Sequence, residues 1–294
     1  MLYYIKAKRY TADPLFLFTV QSFPCPYHTA ENTSLFGTRS SAWRFLMDEL
    51  MMYPEFSVPR FSPTKTSRRP QEKGRNPYDG LRPWSAITHG IGAVLAVLGT
   101  VLLLIRSVTL GLDAWHIVSF AIYGASMIGL YTASTLYHCL HTGVRGRIAL
   151  RKFDHASIYL LIAGSYTPIC LGVLRTVGAW GWALFSIIWV LALAGIILTM
   201  GWINMPRQLT AAIYISMGWM AVVAIYPLYQ TVGWAGLSWL LAGGVLYTVG
   251  GVSYALKWPG RDNPRFGCHE IFHVFIVLGS VCHFLLMYRV VCLL

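Results

Sequence analysis

Long apolar runs separated by short polar connections dominate residues 76–294 of this 294-residue chain. Each run is near the roughly 20 residues that an α-helix needs to cross about 30 Å of hydrocarbon. The predicted spans are Trp84–Ile105, Trp115–His138, Phe153–Leu174, Trp180–Trp202, Leu209–Tyr229, Gly233–Leu256 and His269–Tyr288. The pattern therefore predicts an all-α, polytopic bundle of seven transmembrane helices.

The composition of the chain also indicates a membrane protein. Hydrophobic residues make up 56% of the chain and charged residues only 12%, whereas soluble domains carry about a quarter charged residues. A soluble fold could not cover this much apolar surface, but a bilayer can. We therefore expect a multi-pass protein of the cell membrane that has membrane lipids as partners.

Residues 1–75 differ from the rest of the chain. They mix Pro, Ser, Thr and basic residues without sustained periodicity, and residues 57–75 are rich in Pro, Lys and Arg. This composition predicts a basic, disordered extension, with one short amphipathic helix at Ser41–Met52. The predicted domains are thus the extension, residues 1–75, and a membrane domain, residues 76–294.

The formal net charge of +12 raises the question of an anionic partner. No module with interleaved basic and aromatic residues is visible, so we predict no nucleic acid as a partner. Basic residues instead favour one set of connections, with eight Lys or Arg against three on the other set. The positive-inside rule then places the N-terminus inside and the C-terminus outside. An oligomer is compatible with this pattern but does not follow from it.

Ionisable side chains inside the predicted spans are the candidates for function, because such groups are costly in hydrocarbon. They are His89, His138, Asp154, His155, His269, Glu270, His273 and His283. In the predicted orientation, all of them except His283 lie near the inner ends of their helices. Residues far apart in sequence thus converge on one layer, and His283 lies about three helical turns deeper.

The spacing of the histidines predicts a zinc site. His269 and His273 are four residues apart, so both imidazoles project from one face of a helix. His138 can supply a third nitrogen, which leaves a fourth position open for water, as in catalytic zinc sites. Ser134 lies on the same helical face as His138, and Asp154 can orient the water. The alternative is packing, since two histidines at this spacing often occur by chance.

The remaining polar residues have simpler interpretations. We expect His89 to serve helix packing or to contact a metal-binding residue without binding the metal itself. His155 points about 100° away from the preceding side chain, which favours a packing or loop contact. Glu270 is expected to be an interfacial cap or a partner of a ligand, and His116 and His141 to be interfacial.

These motifs resemble those of a known family. They are Thr88-His89-Gly90, Ser134-Thr-Leu-Tyr-His138, Phe153-Asp154 and His269-Glu-Ile-Phe-His273, in this order. The family is hemolysin III, the bacterial branch of the progestin and adiponectin receptor (PAQR) superfamily. The resemblance implies seven helices with the N-terminus inside. It also implies zinc held by His138, His269 and His273, with Ser134 and Asp154 near the metal-bound water.

Three functions are consistent with this sequence. The first is zinc-dependent hydrolysis of lipid amides or esters, with Asp154 as general base and Ser134 as the group that positions water or the carbonyl oxygen. The second is a pore-forming or cytolytic membrane protein in which zinc is structural. The third is a membrane sensor or regulator of lipid homeostasis. The fourth to sixth predicted spans carry almost no polar stripe, which counts against a wide pore.

Overall fold

The computed structural model describes residues 81–261, 263 and 265–294, and within them every regular element is helical. The α-helices are α1 (Pro83–Thr109), α2 (Ala114–Cys139), α3 (Val144–Thr167), α4 (Trp180–Gly201), α5 (Arg207–Gly218), α6 (Ile225–Leu256) and α7 (Cys268–Arg289). Shorter π- or 3-10-helical segments follow α3, α5 and α7 at Pro168–Val173, Leu174–Thr176, Trp219–Ala224 and Val291–Leu293. The predictions for residues 1–75, including the helix at Ser41–Met52, lie outside the described residues.

The all-α class is confirmed within the described residues, whereas the number of spans differs from the prediction. Among the residues that the structure describes, six helical stretches are long and apolar enough to cross a membrane. The difference arises at Arg207–Leu256, which forms one helical stretch of 50 residues. At 1.5 Å per residue a straight helix of this length measures about 75 Å, more than twice the thickness of the hydrocarbon core.

This long stretch is broken at Gly233, inside α6. Gly233 has φ 62° and ψ −172°, a conformation that is essentially restricted to glycine. Residues on either side of the break contact each other: Trp219 Nε1 donates to Thr248 Oγ1 at 2.8 Å, and the Ile215 side chain packs against Gly251. Since both pairs are nearly symmetric about Gly233, the two arms run antiparallel.

Helix α3, with its π- and 3-10-helical continuation, is the most enclosed part of the bundle. Within its most apolar window 78% of the residues are buried, against 22% for α1 and 28% for α4. The outward faces of α1 and α4 expose large aliphatic side chains, such as Ile91, Leu98 and Ile197. Such continuous apolar faces are typical of surfaces that contact lipid or another protein.

Helix α3 begins at Val144 rather than near the predicted Phe153. The basic residues that were assigned to a connection therefore belong to its first turns. The reason is visible at Arg147, which is buried and donates from Nη1 to the carbonyls of Tyr137 at 2.6 Å and Leu140 at 3.0 Å. This arginine satisfies carbonyls left unpaired at the end of α2, which fixes where α2 stops and α3 starts.

Candidate metal centre and its cavity

Three histidines from two helices meet at one end of the bundle. His138 lies in the last turn of α2, and His269 and His273 lie in the first two turns of α7. One ring nitrogen of each residue lies within 4.8 Å of the others, and the Nε2 atoms of His138 and His269 are 3.2 Å apart. His138 and His273 are buried. This cluster could hold a metal ion.

The orientation of His273 is set by helix α1. Its Nδ1 lies 3.2 Å from the carbonyl oxygen of Ser85, and because a carbonyl only accepts, Nδ1 carries the hydrogen. Nε2 of the neutral ring is then left with a lone pair, the state that a metal ligand requires. The His89 ring stacks on His273 at a centroid distance of 3.6 Å, which agrees with the expected packing role.

A buried carboxylate joins the helices that carry the histidines. Glu270 Oε1 accepts from Ser85 Oγ at 2.9 Å and from Arg82 Nη1 at 3.2 Å, while Oε2 accepts from the Gly267 backbone at 2.9 Å. The Arg82 backbone N–H in turn donates to the His138 carbonyl at 3.1 Å. Glu270 thus caps α7, as the sequence suggested, and also ties the start of α1 to it.

Asp154 and Ser134 line the same space as His269 and His273. Both are buried, Asp154 on α3 and Ser134 on α2. The Ser134 hydroxyl is a neighbour of the Asp154 carboxyl group but makes no hydrogen bond of ordinary geometry with any described residue. His155 was predicted to point away from Asp154. Its Nδ1 nevertheless lies 3.6 Å from Asp154 Oδ2, and 2.9 Å from the Arg151 carbonyl.

These residues open onto one cavity of about 150 Å³ with mostly apolar walls. An apolar cavity of this volume can admit a benzene-sized group. His269, His273, Ser134 and Asp154 all line it, whereas His138 contacts His269 without lining the cavity itself. The structure therefore brings a buried carboxylate, a buried hydroxyl and two of the three clustered histidines to the wall of one apolar space.

A second polar group lies deeper in the bundle and was missed from the sequence. The hydroxyls of Tyr131 and Tyr247 meet Ser280 Oγ at 2.6 Å and 2.9 Å. His283, the histidine outside the predicted layer, packs on Tyr247 and faces the Leu240 carbonyl at 3.4 Å. The sequence did contain an indication of this polar group. Tyr131 and His138 are seven residues apart, so both side chains lie on one face of α2.

At the opposite end of the bundle, Asp113 caps α2 and binds two basic side chains. His116 Nδ1 lies 2.6 Å from Asp113 Oδ1, and Arg175 Nη2 lies 2.8 Å from Oδ2. Limited desolvation would raise the pKa of Asp113, but the hydrogen bonds from His116 and the charge of Arg175 hold it below its usual value. His116 thus pairs with the residue that caps α2.

The fold and the site define a class: an α-helical, multi-pass membrane protein with a buried histidine cluster that could hold a metal ion. A family described as "Haemolysin-III related" has a sequence profile that matches residues 83–284. The chain therefore belongs to the hemolysin III family, as its motifs suggested, and is a multi-pass protein of the cell membrane.

Individual relatives agree with this assignment. The chain is 42% identical over 200 residues to the "Hemolysin-3 homolog" of Bacillus subtilis (strain 168), covering 68% of this chain and 89% of the relative. It is also 42% identical to "Hemolysin-3" of Bacillus cereus, covering 68% of this chain and 87% of the relative. A more distant relative is the "Adiponectin receptor protein" of Drosophila melanogaster, 26% identical over 69% of this chain and 50% of that protein.

Proposed function

We propose that this protein is a zinc-dependent hydrolase of lipid amides or esters that acts at membrane depth. The observation that carries the proposal is the convergence of three histidines, Asp154 and Ser134 beside one apolar cavity. Polar groups inside a membrane are costly and usually serve function. An apolar cavity with a few convergent polar groups is typical of a ligand site, and here it suits an acyl chain.

The three histidines have properties that fit zinc. Imidazole nitrogens bound to one tetrahedral zinc ion lie about 3.3 Å apart, as follows from the usual bond length, and the Nε2 atoms of His138 and His269 are separated by 3.2 Å. His273 has the backbone acceptor on Nδ1 that metal-binding histidines commonly have. When bound, zinc would act as a Lewis acid and lower the pKa of a water from about 15.7 toward 7.

Asp154 would act as the general base of this reaction. Its carboxylate would accept a proton from the attacking water and then return that proton to the amine or alcohol that leaves. The Ser134 hydroxyl beside it would donate a hydrogen bond to the water or to the acyl carbonyl oxygen. The apolar walls of the cavity would exclude bulk water and hold the acyl chain.

We further propose that residues 76–294 form one membrane domain with seven crossings, the N-terminus inside and the C-terminus outside. Supporting the seventh crossing, Arg207–Leu256 is too long for one span and is broken at Gly233. The excess of basic residues on one set of connections supports the orientation. Lipid would then enter the cavity sideways from the inner leaflet.

The deciding experiment is the metal content of the purified full-length protein. We expect about one zinc ion per chain in the wild type, and its loss in His273→Ala, because removing one of three nitrogens leaves too few ligands. His283→Ala is the matched control: it removes another buried imidazole from the same helix, away from the cluster, and should keep its zinc. A wild type without zinc, or equal loss from both variants, would refute the metal site.

Activity is tested next, on the zinc-loaded protein. Ceramides, phospholipids and acyl amides are incubated with the wild type and with Asp154→Asn, and released fatty acid is measured. Loss of the general base should reduce the rate about 10²–10⁴-fold while the zinc content stays unchanged. No turnover of any of these lipids by the zinc-loaded wild type would contradict the hydrolase.

Membrane lysis is the second candidate function, favoured by the relative named "Hemolysin-3". In that case the histidine cluster would be structural, and the exposed apolar helix faces would disturb the bilayer. Leakage of dye from liposomes separates the two functions. Leakage that persists when both His269 and His273 are replaced by Ala would favour lysis over hydrolysis.

A further inference from the structure

A second, smaller pocket lies beside the main cavity. Its volume is about 120 Å³ and its walls are mainly polar. The residues around it are Arg151, His155, Thr199, Trp202, Ile203, Met205, Arg207, Thr210 and Tyr254. Among the described residues, two arginines and no carboxylate therefore line it. A small polar space with this charge suits an anion.

Neither arginine is neutralised by a carboxylate within the described part of the chain. Arg151 donates from Nη1 to the neutral side chain of Asn204 at 3.2 Å. The Arg207 guanidinium lies over the Tyr254 ring, 5.1 Å from its centroid. Both arginines are only partly exposed, and charges so placed are stabilised when an anion binds between them.

The side chain of Tyr254 links the pocket to the histidine cluster. Tyr254 contacts Arg207 on one side and His269 on the other, with ring centroids of Tyr254 and His269 5.7 Å apart. His155, Thr210 and Tyr254 line both the pocket and the apolar cavity. A ligand with an anionic head and an apolar tail could occupy both spaces at once, with its middle beside the histidines.

The pocket also lies at the ends of two apolar helices. It is formed around the end of α4 and the start of α5, where the chain leaves one apolar helix and enters the next. Trp202 stands at this point with half of its surface exposed, as tryptophans do at the membrane interface. Lys152 binds the Met200 carbonyl close by, at 2.6 Å.

We propose that this pocket binds the phosphate group of a lipid whose acyl chain occupies the adjoining apolar cavity. Arginine suits this role because its planar guanidinium can donate two parallel hydrogen bonds to phosphate oxygens. Binding is independent of the hydrolysis proposed above. Only the implication that the substrate is a phospholipid, with its acyl bond near the histidines, rests on the proposed function.

The test compares two lipids that differ only in the phosphate. Full-length protein in neutral detergent, treated with chelator to remove metal, is titrated with dioctanoyl phosphatidic acid and with dioctanoylglycerol, and bound lipid is measured by native mass spectrometry. We expect the wild type to prefer phosphatidic acid by at least about tenfold, and Arg151→Gln or Arg207→Gln each to reduce this preference about tenfold. Because no zinc or turnover is needed, failure of the hydrolase would not affect this result.

Matched variants separate a built pocket from general attraction to positive charge. Arg145→Gln removes one exposed charge from the same helix as Arg151 but outside the pocket, and should keep the preference. Arg207→Lys retains the positive charge with little disturbance of the fold. This variant should keep part of the preference for phosphatidic acid. Equal affinity for the two lipids, or an equal loss in Arg145→Gln and Arg207→Gln, would overturn the proposal.

A further arm identifies the source of the phosphate. Inorganic phosphate is added as a competitor to the wild type with phosphatidic acid bound. We expect it to displace the lipid only at far higher concentrations, since it has no acyl chain to fill the cavity. Displacement at concentrations similar to that of the lipid would assign the pocket to free phosphate and overturn the lipid assignment.

Discussion

Glu270 shows how a single side chain organises the candidate metal centre. It neighbours His269 in sequence but points away from the histidine cluster, where it binds Ser85, Arg82 and the Gly267 backbone. Ser85 in turn accepts the hydrogen bond from His273. The carboxylate thus supports His273, a residue of the candidate metal centre, through Ser85.

Replacing Glu270 by Gln should loosen this arrangement while preserving its shape. The amide cannot accept on both arms, so either the Gly267 N–H or the Ser85 and Arg82 donors lose a partner. We expect a loss of about 1–3 kcal/mol in the free energy of unfolding, as for a buried group left unsatisfied. Thermal unfolding in detergent measures the stability, and zinc retention during dialysis measures the effect on the site.

Asp113→Asn at the opposite end of the bundle is the control for this variant. It removes a carboxylate that is also paired with arginine, but 44% of the Asp113 side chain is exposed, against 4% for Glu270. Exposed pairs contribute about 0–1 kcal/mol, and Asn remains a good helix cap. Equal effects of the two substitutions would contradict the organising role of Glu270.

At the scale of helices, the break at Gly233 decides the course of the longest helical stretch. The apolar pattern of Arg207–Leu256 contains no charged residue between its ends, and only its length predicted a turn, between the spans Leu209–Tyr229 and Gly233–Leu256. The backbone at Gly233 and the Trp219–Thr248 hydrogen bond mark it. A residue with a side chain could not adopt this conformation without strain.

Gly233→Ala should therefore destabilise the protein by about 1–3 kcal/mol, the usual strain of a side chain in this backbone region. Gly218→Ala is a closely matched control, because both glycines have open space where a Cβ would lie but Gly218 has ordinary helical angles. There Ala should be neutral or stabilising by up to about 1 kcal/mol. Thermal unfolding of the two variants measures this difference in stability. Equal midpoints would rule out strain at Gly233.

At the scale of the whole molecule, the number of crossings decides how the bundle sits in the membrane. If Arg207–Leu256 crosses twice, the segment near Gly233 and the connection between α6 and α7 lie on opposite sides. If the orientation proposed above is correct, the second of these is inside. The histidine cluster, at the start of α7, would then face the inner leaflet.

Thiol labelling tests this arrangement in intact cells. Gln230→Cys and Arg261→Cys, both at exposed positions, are introduced separately into a chain whose six native cysteines are replaced. A membrane-impermeant maleimide should label Gln230→Cys directly and Arg261→Cys only after the membrane is permeabilised. Labelling of both from the same side would exclude the double crossing, and the reverse pattern would invert the orientation.

The sequence by itself determined the properties that depend on neighbouring residues. The positions of the apolar helices followed from local hydrophobicity, and the shared face of His269 and His273 from the helical repeat. The family followed from four short motifs. The membrane location followed because a soluble fold could not bury so much apolar surface.

Only the tertiary structure decided what depends on how the helices pack. The 3.2 Å approach of His138 to His269, the bond between Glu270 and Ser85 across 185 residues, and the pocket shared by Arg151 and Arg207 all join separate helices. The rotation and depth of each helix set these contacts. No local pattern contains that information, because it arises from the simultaneous packing of side chains from every helix in the bundle.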